Sequence, residues 1–119
     1  MRSLLFVPAD SERKLGRARQ SGAGAVILDL EDSVVPANRP VARSQARAFL
    51  ASSGSAGFRR YVRINRLASG LGLDDLVSVV PERPDGVLLP KCQPEDVRTL
   101  DHYLSAIEAA SGLARERFG

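Results

Sequence analysis

Three carboxylates, Asp29, Glu31 and Asp32, fall within four residues at the end of the apolar run Gly24 to Leu28. A short continuous apolar run with β-branched members reads as a strand buried on both faces, as in parallel sheets. Acids at the exit of such a strand lie at its C-terminal edge, where the loops of α/β folds converge and ligands bind. One acid capping the next helix while the others are solvated is the plainer alternative, but three are more than a cap needs. Arg63 sits within Arg60-Tyr61-Val62-Arg63-Ile64-Asn65, a second apolar segment. An arginine there is costly to bury unless a carboxylate meets it, and Glu31 or Asp29 on an adjacent strand is the natural partner. Its planar fork also suits a substrate carboxylate, with a purely structural ion pair as the rival reading. Lys91 would add a cation at the same edge or be a solvated strand-end lysine, and Arg13 near a helix N-terminus could meet phosphate.

Other reactive types are badly placed. Cys92 has no base near it in sequence, and the single histidine, His102, falls within a helix on its surface. A Cys/His dyad is therefore not expected. Ser69-Gly70-Leu71-Gly72 lacks a nucleotide-binding fingerprint and reads as a flexible loop that could close over a ligand.

The elements that must position these residues follow from hydrophobic period. Strands are expected over 3–7, 25–30, 60–65 and 86–91. Helices are expected from the Asp10-Ser11 cap to about Gln20, over 41–51, over 73–80 with a cap around Asp74, and over 94–110. Leu15 and Ala18 face inward on the first helix, Ala42, Ala46, Phe49 and Leu50 on the second, and Val97, Leu100, Leu104 and Ile107 on the last. Four βα units without a hairpin signal imply a parallel sheet, either an open doubly wound sheet or part of a (β/α)8 barrel. A whole barrel takes about 250 residues, and the stretch from Gly112 to Gly119 lies where a fifth strand would start.

At 119 residues and 44% hydrophobic, the chain supports one core and one domain. The net charge of +3 comes from dispersed arginines, without a basic run or aromatic interleaving, so phosphate-bearing ligands fit and nucleic acid is not expected. One cysteine excludes an internal disulfide and points to a reducing compartment. The apolar stretch before Pro8 is shorter than the roughly seven residues of a secretory core, and none approaches the roughly 20 of a membrane span. A cytoplasmic protein without membrane association is the expectation.

Five segments, Arg2-Ser3-Leu4-Leu5-Phe6-Val7-Pro8-Ala9, Arg13-Lys14-Leu15, the stretch 22–34 with its Ile-Leu-Asp-Leu-Glu-Asp centre, Val62-Arg63-Ile64-Asn65, and Gly86-Val87-Leu88-Leu89-Pro90-Lys91, resemble in order and spacing the citrate lyase β-subunit-like branch of the HpcH/HpaI aldolases. The resemblance implies a TIM (β/α)8 barrel, here its first four βα units, and an oligomer. The implied enzyme makes or breaks a carbon–carbon bond beside a thioester or keto-acid carbonyl, with Mg2+ as cofactor and acyl-CoA esters such as citryl-CoA or malyl-CoA as substrates. By the same resemblance Arg63 would bind substrate carboxylate or carbonyl oxygens, Glu31 would hold that arginine, and Asp32 would line the site. Arg2, Arg13 and Lys91 would lie towards the CoA phosphates or the pocket mouth. The family's metal-binding acids would follow Gly119, so no metal ligand is assigned to Asp29, Glu31 or Asp32, and the 119-residue chain alone is expected to be inactive. Two alternatives are a half barrel that pairs with itself or another chain, and a class II pyruvate-type aldolase. The latter usually uses a site histidine, for which His102 is poorly placed.

Overall fold

The computed structural model describes residues 3–53, 57–90 and 94–111. Strands β1 (Leu4–Pro8), β2 (Ala25–Asp29), β3 (Arg59–Arg63) and β4 (Gly86–Leu88) alternate with helices α1 (Glu12–Arg19), α2 (Arg39–Ser52), α3 (Leu71–Val79) and α4 (Pro94–Ser111). The strands form one parallel sheet in the order β1-β2-β3-β4. Each crossover therefore steps the same way, as around a barrel, whereas a doubly wound sheet reverses direction partway. The strand-end register aligns Pro8 with Asp29 and Asp29 with Arg63, and Arg63 in turn with Leu88.

The side chains divide by strand parity. Val7, Val26, Leu28 and Val62 point to the helix side and share one buried core with Ala42, Ala46, Phe49, Leu50, Leu76, Val79, Leu104 and Ile107. The opposite face presents Leu4, Phe6 and Leu88 at 63%, 52% and 36% exposure. β2 is buried along its whole length, as its unbroken apolar run requires.

Several boundaries differ from those read off the sequence, and β3 ends at Arg63 and not at Asn65. α2 begins at Arg39 because Pro40 falls in its first turn, where a missing N–H costs nothing. α3 begins at Leu71, so Asp74 lies in its first turn and does not cap it. Gly70 caps the helix start at φ 80°, and Gly72 lies inside the helix. β4 stops at Leu88, and Lys91 and Cys92 lie outside the described residues. On α4, Val97 is exposed, Leu100 packs half-buried against the core and Leu104 and Ile107 are buried, so the apolar stripe starts after the first turn.

α1 is capped as expected, Ser11 Oγ accepting from the Lys14 amide at 3.3 Å. At the N-terminal edge of the sheet, the buried Arg60 donates to the carbonyls of Leu50 at 2.7 Å and Arg83 at 2.9 Å. That guanidinium ties the end of α2 and the approach to β4 to β3. Among the described residues, no helix is long and apolar enough to cross a membrane.

Candidate active site

Asp29 is the last residue of β2, only 2% exposed. Its Oδ1 accepts from the Glu31 amide at 2.9 Å and from Arg63 Nε at 3.0 Å. Its Oδ2 accepts from the Ser33 amide at 3.0 Å, the Ser33 hydroxyl at 2.6 Å and Arg63 Nη2 at 2.8 Å. The chain turns around its own carboxylate directly after the strand, a local habit of aspartate, and the parallel register brings the arginine fork alongside. Burial by itself favours the neutral acid, but donation from Arg63, the Ser33 hydroxyl and the two amides outweighs it and holds Asp29 well below the usual carboxylate range.

The acids of the second strand and Arg63 thus face each other across the sheet edge, and of the two partners the sequence offers it is Asp29, and not Glu31, that makes the hydrogen bonds. Asp29 holds Arg63 through two short bonds, whereas Glu31 Oε1 stands 3.9 Å from Nε and Asp32 Oδ2 stands 3.9 Å from Nη2. The reason is register: Asp29 pairs directly with Arg63 and shares its face, and Glu31 lies beyond the strand end. The guanidinium carbon also lies 5.2 Å from the centre of the Phe6 ring, a cation–π distance. Donation to Asp29 holds the Arg63 pKa above its ordinary value.

Glu31 behaves oppositely to Asp29. Burial and the adjacent Asp32 carboxyl raise its pKa, against the pull of Arg63. The two neighbouring carboxyls are thus displaced in opposite directions from their ordinary values.

Two clefts open beside Arg63. One of about 340 Å3 is lined by Phe6, Pro8, Asp29, Ser33 and Arg63. The other, of about 330 Å3, is lined by Glu31, Asp32, Arg63, Arg66 and Pro90. Asp32 is exposed at the mouth. Arg13 is exposed on the first turn of α1 and lines neither cleft. Arg2 and Lys91 lie outside the described residues. Sequence reasoning missed Phe6, Ser33 and Arg66. Phe6 shares strand parity with Pro8, a signal that would have placed it on the site face.

The Ser69–Gly72 stretch is not a loose loop. A short 3-10 turn covers Leu67–Ser69, and the Arg66 carbonyl accepts from Ser69 Oγ at 2.7 Å and from the Gly72 amide at 3.3 Å. His102 is exposed on α4, as expected for a helix-surface residue.

The described residues do not fit a Mg2+ site. Asp29 already accepts five hydrogen bonds on its two oxygens, and no group of three ligating side chains occurs among the described residues.

Comparison with known proteins agrees with the sheet and its order of elements. Haemophilus influenzae citrate lyase subunit beta is 35% identical over 112 residues, 93% of this chain and 38% of that protein. A (3S)-malyl-CoA thioesterase of Cereibacter sphaeroides is 34% identical over 90 residues, 76% of this chain and 32% of that protein. The chain thus spans about a third of the curated relatives it matches. A Mycobacterium tuberculosis citrate lyase beta subunit, solved with oxaloacetate and magnesium, superposes with a TM-score of 0.64 at 32% identity, covering 82% of this chain and 42% of that one. Haloferax volcanii malate synthase superposes with a TM-score of 0.82 at 17% identity over 98% of this chain and 40% of its own, a likeness of fold. These four parallel βα units are part of a TIM-barrel-type fold. The model of the HpcH/HpaI aldolase/citrate lyase family matches residues 2–118, and the chain belongs to that family.

Proposed function

We propose that this chain carries the substrate-anchoring part of a carbon–carbon lyase that cleaves or forms a 3-hydroxyacyl-CoA thioester such as malyl-CoA or citryl-CoA. The observation that carries the reading is the Arg63 fork. Asp29 occupies its Nε and Nη2 edge, so Nη1 is left to donate into the clefts. A guanidinium fixed on one edge is preorganised to receive a carboxylate or carbonyl oxygen on the other. Cleavage leaves an enolate whose negative oxygen needs such a cationic surround. Glu31, with its raised pKa, is the residue here suited to carry a proton to or from the reacting carbon. Arg66, exposed and lining the same cleft as Arg63, is the described cation best placed for a second anionic group of the substrate. That role was expected of Arg2, Arg13 and Lys91. Magnesium, when present in such enzymes, would supply Lewis-acid stabilisation of the enolate, and its ligands are not among the described residues. On this reading the 119-residue chain binds the ester without turning it over.

The test is calorimetric titration of the purified chain with malyl-CoA, together with an assay for thioester cleavage products in Mg2+. The expected result is binding that weakens about tenfold or more in R63K, a loss of about 1.4 kcal/mol, with no turnover. Absence of binding, or equal binding by R63K, would overturn the anchor, and robust turnover would overturn the half-site reading.

A second reading, self-association into a homo-oligomer, is supported by the exposed Leu4, Phe6 and Leu88 on one sheet face with β1 and β4 both at open edges. It is compatible with the first.

A further inference from the structure

Asp29 and Arg63 are the last paired residues of β2 and β3, and past them the regular ladder no longer fixes where Glu31 stands. In a regular parallel pair the Leu30 amide would donate to the Arg63 carbonyl, and the Leu30 carbonyl would accept from the Asn65 amide. The first bond is present at 2.9 Å. The second is replaced. The Asn65 amide donates instead to Asp75 Oδ2 at 2.8 Å, and the Asn65 side-chain Nδ2 supplies the missing rung to the Leu30 carbonyl at 2.9 Å. The same Nδ2 also donates to Asp75 Oδ2 at 2.8 Å, and Asp75 Oδ1 accepts from Arg43 Nε at 2.8 Å.

We propose that Asn65, Asp75 and Arg43 are positioning residues: a buried relay that lets the chain leave the sheet towards α3 while still holding the Asp29–Arg63 pair in register. The exchange of rungs is what carries this. A backbone donor diverted to Asp75 frees β3 to turn, and a side-chain amide takes its place, so Leu30 remains bound to β3 through both its polar groups. Leu30 is the residue between Asp29 and Glu31, so its hold on β3 sets where both acids stand relative to the guanidinium. Asp75 is fully buried and Asn65 is 3% exposed, so the relay is shielded from competing water. Arg43, from α2, balances the Asp75 charge at a side-chain exposure of 18%. Helices α2 and α3 thereby act on the site although neither contributes a residue to the lining of either cleft.

The consequence for substrate rests on Arg63 being the anchor, as proposed above, but the positioning does not, so the test reads Arg63 itself. In the 15N-labelled chain, the Arg63 Nε–H resonance is assigned by its disappearance in R63K. Asn65→Ala and Asp75→Asn are each expected to shift that resonance and to speed its hydrogen exchange by about tenfold, the effect of losing roughly one hydrogen bond's worth of restraint. Ser53→Ala, which removes a contact of Arg60 at the opposite edge of the sheet, is the control for general loss of stability and is expected to leave Arg63 unchanged. Should either relay variant not fold, Arg43→Gln, which removes only the outer partner of Asp75, is judged by the same criterion. An Arg63 resonance that behaves as in the parent in the folded relay variants, or that responds equally to Ser53→Ala, would overturn the proposal. Failure of malyl-CoA to bind a chain whose Arg63 responds as expected would fault the anchor reading alone.

Discussion

Replacing Arg63 by methionine would leave Asp29 buried with five acceptor contacts reduced to three and no counter-charge. A loss of roughly 3 kcal/mol at neutral pH is expected from urea unfolding, with R63K losing less because it keeps the charge and forfeits only the fork. The two neighbouring acids then predict opposite pH behaviour. Asp29 is depressed in the folded state, so its contribution is fully present above the ordinary aspartate value of about 3.9 and is lost as pH falls below it. The stability gap between the parent and D29N should therefore be widest at neutral pH and close in acid. Glu31 is raised, so the folded state resists its ionisation, and stability falls as pH rises beyond the ordinary glutamate value of about 4.3. E31Q should gain on the parent above that value and match it in acid, as chemical denaturation across pH would show. At the cleft mouth, Arg66→Gln is expected to weaken malyl-CoA binding by a smaller factor than R63K, because Arg66 is exposed and its charge is screened. Calorimetry of the two variants side by side checks the ranking.

At the scale of the element, two glycines within helices carry opposite consequences. A methyl at Gly16 of α1 would meet nothing within 4 Å, and its removal of backbone freedom should make G16A more stable by roughly 0.5–1 kcal/mol. A methyl at Gly72 of α3 would lie 2.6 Å from the Asn65 carbonyl oxygen and 3.0 Å from Arg66 backbone atoms. Backbone cannot step aside as a side chain can, so G72A should lose about 1–3 kcal/mol in the denaturant midpoint. It should also disturb the β3 exit, since α3 closes on the residues that follow Arg63. The close approach explains why a glycine that looks like a loop residue in the sequence lies inside a helix. It lets the helix start against the strand end, where Asp75 can reach Asn65.

For the whole molecule, the relevant asymmetry is between the two faces of the sheet. Helices cover one face, and the other leaves Leu4 and Phe6 more than half exposed beside open strand edges. An uncovered apolar face with unpaired edges favours association. The 119-residue chain is therefore expected to sediment as a concentration-dependent oligomer, with Leu4→Lys and Leu88→Lys shifting it towards monomer. A monomer at all concentrations in sedimentation velocity would count against this. The same face carries Arg63 and Phe6, both of which line the first cleft.

The order of four strands and four helices, the buried character of β2 and the concentration of acids and Arg63 at strand ends were legible in the sequence. Each is a local signal: an unbroken apolar run, a helical period, or a charge set where a charge is costly. What only the tertiary structure decided was partnership. Whether Asp29 or Glu31 holds Arg63 depends on the register between β2 and β3: the two acids share strand parity, so a shift of two residues would exchange them. Nor does any pattern of residues announce that the Asn65 side chain replaces a backbone rung or that Gly72 abuts a carbonyl. The first joins residues 35 apart along the chain and the second sets α3 against the exit of β3, and both exist only once packing has brought the elements together.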